Sequence, residues 1–248
     1  MEFKYIDAHC HIEDKSFNKN RDEIVKNAKD NGVEIVTSGA SLGGCKRALN
    51  FKKEYGIYLT LGFHPGRTKA QDNVVDKVYN LIRENEKELL AVGEVGLDIN
   101  VQNLDRQKIV FEKFVGLAEE LNKPVIIHGR GLEKECFDVL NNRVVSMFHC
   151  YSGSINLAKE LIENGHYVSL STLVCFSKDH QNLVENLDLE NIVVETDSPY
   201  LSPIKGEKNE PKNVIKVVEK IWEIKKEEYS LAEITKIIYD NTKKLYRI

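Results

Sequence analysis

Residues 6–13 read IDAHCHIE, an apolar lead into Asp7 followed by His9 and His11. Side chains alternate along a strand, so two histidines one residue apart face the same way. Neutral imidazoles are good ligands for zinc and similar divalent ions. Asp7 is expected on their side of the strand but deeper, as a supporting residue. Cys10 is expected on the opposite side as a small core residue, and Cys150, beside His149, is read the same way. Further ionisable residues follow apolar runs: His64 in GFHPG, Glu94 in AVGEVGLD, His128 in VIIHGR, His149 in MFHCYSG and Asp197 in VVETDSPY. His9, His11, His128 and His149 with Glu94 and Asp197 are too many donors for one tetrahedral structural site. They suffice for two divalent ions with positions left open for water. Glu94 could bridge the ions, since a carboxylate offers two oxygens. Each residue alone reads more readily as a hydrogen-bonded strand end or turn than as a ligand. Six together, several placed where an unpaired ionisable group is expensive, point to a site.

Such a site needs strands whose ends converge. Strand-like runs lie near 3–9, 33–38, 57–62, 88–94, 124–128, 144–149, 166–171 and 191–196. Several are β-branched and almost continuously apolar, as expected when both faces of a parallel sheet are covered. Helical periodicity fills 20–31, 43–55, 72–87, 104–122, 132–142, 154–164 and 179–187, with a last helical region over 211–241. Eight strand–helix units in this length predict an α/β fold, a (β/α)₈ TIM barrel, as one domain spanning 1–248. In such a barrel all strand ends meet on one face, and the long irregular connection 197–213 belongs to that face. Arg130 is the best phosphate candidate there, with Lys205 and Lys208 in the long loop behind it. His166 begins a strand on the far face and is read as structural. His180 opens a helix and is expected to be solvated.

Composition narrows the partners. The 248 residues carry 35 basic and 39 acidic side chains, a net charge of −4, which is not the balance of a nucleic-acid coat protein. Five widely spaced cysteines without a CxxC argue against a disulfide framework and for a reducing cytoplasm. No signal peptide and no membrane span are expected. A monomer is the default.

The motifs, in order, resemble those of the TatD family of metal-dependent hydrolases in the amidohydrolase superfamily. DAHCHIE (7–13) resembles its D-x-H-x-H opening, GFHPG (62–66) its G-x-H-P, and AVGEVGLD (91–98) its G-E-x-G-L-D. IIHGR (126–130), FHCYSGS (148–154), and ETDSPYLSP (195–203) with NEP (209–211) continue the series. The resemblance implies a (β/α)₈ barrel and a divalent-metal-dependent deoxyribonuclease. Carried over by position, it implies one ion on His9, His11, Glu94 and Asp197 and a second on Glu94, His128 and His149. His64 and Arg130 would contact substrate phosphate. The chain departs from the family where Gly129 and Gly131 replace frequent Ser and Asp, where Tyr151 replaces Phe, and in a strand-seven end without glycine. These departures bear on substrate preference.

The expected activity is hydrolysis of DNA phosphodiesters, from strand ends or on single strands, with Asp197 as base and Glu94 as the shared catalytic ligand. The two ions are expected from among Zn, Mn, Mg, Fe and Ni. Alternatives are hydrolysis of an ester or amide on the same centre, including an aminoacyl ester on tRNA, and a catalytically silent binding barrel.

Overall fold

The computed structural model describes residues 4–248. Eight parallel strands lie in chain order in one sheet. They are β1 (Tyr5–Cys10), β2 (Val33–Gly39), β3 (Tyr58–Leu61), β4 (Ala91–Gly96), β5 (Val125–His128), β6 (Ser146–Phe148), β7 (Tyr167–Leu170) and β8 (Ile192–Val194). The helices between them are α1 (Arg21–Asp30), α2 (Leu42–Tyr55), α3 (Asp72–Glu84), α4 (Leu104–Glu120), α5 (Glu133–Leu140), α6 (Ile155–Glu163) and α7 (Lys178–Asn186). The predicted (β/α)₈ TIM barrel is the fold. Residue 3, where the first strand was expected to begin, lies outside the described residues. The last helical region is two helices, α8 (Val214–Lys225) and α9 (Leu231–Tyr246). Ser230 caps the second, with its side chain bonded to the Glu233 amide and Glu233 bonded back to Ser230. That S-x-x-E box is a local restart signal inside the apparently continuous pattern. Among the described residues, no helix is long and apolar enough to cross a membrane.

Two apolar layers cover the sheet. Most buried residues lie between strands and helices, including Ile35, Leu59, Val92 and Ile127. A smaller cluster, including Ile6, Ala8, Val36, Ala91, Ile126 and Met147, fills the barrel below the site. α9 closes this floor, where the Tyr246 hydroxyl donates to Ala8 O at 2.7 Å.

The barrel seam lies between β1 and the chain leaving β8. Asp197 N–H donates to His9 O at 3.0 Å, and His11 N–H donates to Ser198 O at 2.8 Å. The buried Asp7 carboxylate accepts from Thr196 N–H (2.8 Å) and Thr196 Oγ1 (2.6 Å). The expected side for Asp7 is corrected by a bulge. The β1–β2 register shifts between Asp7 and Cys10, and Asp7 pairs with the outward-facing Ile35. Asp7 therefore lies on the side of Cys10, while Ala8 and His9 both turn inward. A second shift, between Gly93 and Val95, does the same for Glu94. Val92 and Val95 both join the outer layer, which leaves Gly93 and Glu94 on the inner side. Simple alternation from Asp7 or Val92 would have turned His9 and Glu94 outward.

His166 is buried at the opposite end. Its Nδ1 accepts from Ser146 N–H at 3.2 Å, and its Nε2 faces Asn142 Oδ1 at 2.9 Å, which makes the neutral ring a donor there. His180, expected to be solvated, is buried instead, with Ser177 Oγ 2.9 Å from Nδ1 and Ser152 Oγ 3.2 Å from Nε2. The first turn of α7 packs under the loop after β6, a tertiary contact its local sequence does not announce.

Replacing Thr196 by Val should lower stability by about 1–3 kcal/mol, because buried Asp7 loses a donor. Urea unfolding in a chelating buffer, where metal affinity does not contribute, measures this. Burial holds the His166 pKa down to about 4 from the ordinary 6.5, so between these values the unfolded chain binds the extra proton. Its contribution is present above pH 6.5 and lost as the pH falls towards 4, roughly 2–3 kcal/mol in all. A His166→Gln variant should lose correspondingly less stability than the parent between pH 7 and pH 4.5, as read by paired urea titrations.

Candidate metal centre

Glu94 sits at the centre of the C-terminal mouth of the barrel, with only 4% of its side chain exposed. Two glycines let the backbone close around it. A Cβ on Gly62 would lie 2.4 Å from Glu94 O, and one on Gly96 would lie 2.1 Å from His128 O. The two carboxylate oxygens face different groups. Oε1 lies 2.9 Å from His128 Nδ1, 3.2 Å from His149 Nε2 and 3.4 Å from His64 Nε2. Oε2 lies 3.7 Å from His11 Nε2 and 3.8 Å from His9 Nε2. Asp197 completes the second side, with Oδ1 3.4 Å from His11 Nε2 and 3.8 Å from His9 Nε2. β8 ends before Asp197, which takes a left-handed turn (φ 54°), a conformation that aspartate tolerates better than most residues.

The donors fit divalent cations. His9, His11 and Asp197 form one compact group, His9, Glu94 and His149 another, and His64, Glu94 and His128 a third. The Nε2 atoms of His9 and His11 are 3.3 Å apart, and the rings of His9 and His149 stack at 4.2 Å. Burial and the neighbouring His149 hold the His9 pKa well below the usual value, so its ring is neutral and can offer a lone pair. Burial would raise the Glu94 pKa, yet His64, His149 and His128 hold it well below the ordinary range. His9 Nδ1 is buried without a hydrogen-bond partner, one polar atom that the protein alone leaves unsatisfied.

Three carboxylates outside this ring orient the imidazoles, and residue types alone did not single them out. Glu13 Oε1 lies 3.2 Å from His11 Nδ1, which also faces Ser38 O at 2.9 Å. Asp98 Oδ2 lies 3.1 Å from His128 Nε2, and Glu195 Oε1 lies 3.0 Å from His149 Nδ1. Thr37 and Ser169 hydroxyls donate to the far oxygens of Glu13 and Glu195. The His128 contact draws the Asp98 pKa down to about 2. Each lies two or four residues from a candidate ligand, a spacing that would have flagged it: Glu13 after His11, Asp98 after Glu94, Glu195 before Asp197. Such partners fix the ring orientation and raise ligand basicity.

His64 differs from the other imidazoles. Its Nδ1 accepts from Gly66 N–H at 2.9 Å, and burial lowers its pKa to about 4, so the neutral ring carries its proton on Nε2. That nitrogen is a donor directed into the mouth. A cavity of about 640 Å³ opens above the cluster, and Arg130 and His64 line it. Lys205 and Lys208, expected to face this cavity, are not among its lining residues. Asn209 ties the 197–213 loop down through Thr196 O (2.8 Å) and Thr172 Oγ1 (3.0 Å). Lys208 instead donates to Ser16 O at 2.8 Å, and Lys205 is exposed. Cys150, expected in the core, is half-buried on the cavity wall at φ 45°, its Sγ 3.3 Å from Ser171 Oγ.

Comparison with known proteins places this geometry in a family. The model of the TatD related DNase family matches residues 6–247. An uncharacterized metal-dependent hydrolase of Methanocaldococcus jannaschii is 60% identical over 98% of this chain and 97% of its own. Human deoxyribonuclease TATDN3 is 29% identical over 97% of this chain and 94% of its own. The crystal structure of the Escherichia coli TatD homologue YjjV superposes with a TM-score of 0.92 at 23% identity, covering both chains completely, which supports the fold. With six ordered motifs at the strand ends and a matched family across nearly its whole length, the chain belongs to the TatD related DNases, metal-dependent hydrolases built on a (β/α)₈ barrel.

Proposed function

We propose that the protein is a two-metal phosphodiesterase that hydrolyses DNA, working on single strands or strand ends. The carrying observation is Glu94, whose two oxygens face two separate sets of imidazoles. In this reading His9, His11, Glu94 and Asp197 hold one divalent ion, and Glu94, His128 and His149 hold the other. Bound there, the cations supply Lewis acidity to the phosphate oxygens and to the attacking water.

The chain's own groups supply the rest. Asp197 is more open to the cavity than Glu94, with 14% of its side chain exposed against 4%, and is the residue to accept the water's proton. The water oxygen adds to phosphorus, the P–O bond to the departing strand breaks, and that oxygen leaves with a proton from solvent. Arg130 and the Nε2–H of His64 meet the phosphate oxygens as charge accumulates on them. Arg130 is 64% exposed and only 3.9 Å from Asp98, so its guanidinium can turn towards a substrate. Tyr200 lies on the cavity wall, 54% exposed, with its ring centroid 6.2 Å from that of His11. An open aromatic face beside a phosphate site suits a stacked base. The depth of Glu94 favours a splayed strand over the outer face of a duplex. The name of the human relative, a deoxyribonuclease, supports DNA as the substrate class.

The test is a labelled oligonucleotide assay, with esters, amides and aminoacyl-tRNA as parallel substrates, with and without Mg, Mn, Zn, Fe or Ni. Metal-dependent shortening from one end is the expected result. Turnover confined to esters or amides would replace this reading with a different hydrolase on the same centre. Glu94→Ala should strip metal from the protein, measured by elemental analysis, and reduce cleavage by at least about three orders of magnitude, since both ions lose a ligand. Glu195→Gln should leave the fold intact and weaken metal affinity or activity by about 10–100-fold through His149. Unchanged metal titration curves in that variant would rule out the orienting role of Glu195.

A further inference from the structure

Beside the metal cavity lies a second cleft of about 510 Å³ with a different chemistry. It runs between the turn at Lys15–Phe17, the first turn of α2 and the turn at Pro65–Arg67. Four cations line it, Lys15, Arg47, Arg67 and Lys69, and no carboxylate does. None of the four is in an ion pair among the described residues, although Lys52, Arg83, Arg106 and Lys113 elsewhere on the surface are. In a chain of net charge −4, four unpaired cations in one groove run against the average. Ser41, Arg47 and Arg67 line both this cleft and the metal cavity, so the two form one continuous surface.

The cleft is also shaped to present its charge. Arg47 Nε donates to Glu13 O at 2.8 Å, which fixes its guanidinium. Nη1 of that group lies 3.3 Å from where a Cβ on Gly43 would be, so the missing side chain gives the guanidinium room over the helix start. The positive end of the 14-residue α2 opens into the same groove, with Ser41 as its cap.

We infer that this cleft binds the backbone phosphates next to the scissile one, and so selects a single-stranded polynucleotide over a mononucleotide or small ester. The inference rests on the phosphodiesterase reading for its meaning but not for its test. Repeated anions at a fixed spacing are what a row of cations outside any ion pair recognises.

The experiment measures binding of a fluorescent single-stranded oligonucleotide to the full chain in chelator, by anisotropy across a salt series. Lys15→Ala/Lys69→Ala is compared with the parent and with Lys87→Glu/Lys226→Glu at the other end of the barrel. The expected result is about tenfold weaker binding at low salt for the cleft variant, with the slope of log K against log salt shallower by about 1.4. The distal variant should keep the parental slope. Both lysines of the cleft are exposed, and near-UV dichroism checks that the variants are folded. Identical affinity and slope in the cleft variant, equal weakening in the distal variant, or no binding by the parent would each overturn the inference. Cleavage is scored separately with metal restored. Cleavage of neither the oligonucleotide nor bis(p-nitrophenyl) phosphate by the parent would overturn the proposed function while the binding result stands.

Discussion

A carboxylate at 4% exposure facing five imidazoles is the constraint around which the mouth of this barrel is arranged. An ionised group that deep is strongly disfavoured unless opposite charge or donors surround it. Glu94 finds them on both sides, and its own charge in turn favours the surrounding histidines. Burial works against a proton on His11, His128 and His149, yet Glu13, Asp98, Glu195 and Glu94 hold their pKa values above the usual one. His9, with no carboxylate on its outer nitrogen, goes the other way. The cluster is therefore balanced collectively, and no member can be assigned its charge from its own sequence neighbours.

The same residues close the barrel. The seam bonds run through the backbones of His9, His11, Asp197 and Ser198, so the fold's last sheet contact and two sides of the site are one structure. Asp7 and Thr196 anchor this seam from the outer side. Thr172 and Asn209 then hold the outgoing loop, with Thr172 Oγ1 donating to Leu201 O at 2.6 Å. Loss of the seam would open the sheet and disperse the donors together, which couples stability of the fold to integrity of the site.

Much of this was legible in the sequence. The alternation of apolar runs with helical periods specified eight strand–helix units, because a parallel sheet covered on both faces needs continuous apolar strands. The residue types at the strand ends marked the face and nearly all of its histidines. Less was legible where geometry departs from the repeat. Asp7 appeared to share the side of His9 because strict alternation was assumed, and a bulge reverses it. His180 and Cys150 were misplaced because their environments are made by other loops. Lys205 and Lys208 lie on the expected loop but do not line the cavity, and Lys208 bonds Ser16 O in a turn far away in the chain.

The sequence by itself thus determined the family, the barrel and most of the histidines brought to one mouth, since these follow from residue type, order and period. Only the tertiary structure decided which way His9 and Glu94 point, which carboxylate steadies which imidazole, and that an unpaired cationic cleft continues the cavity. Those depend on single-residue register shifts and on contacts between segments far apart in the chain, and neither leaves a periodic trace in the sequence.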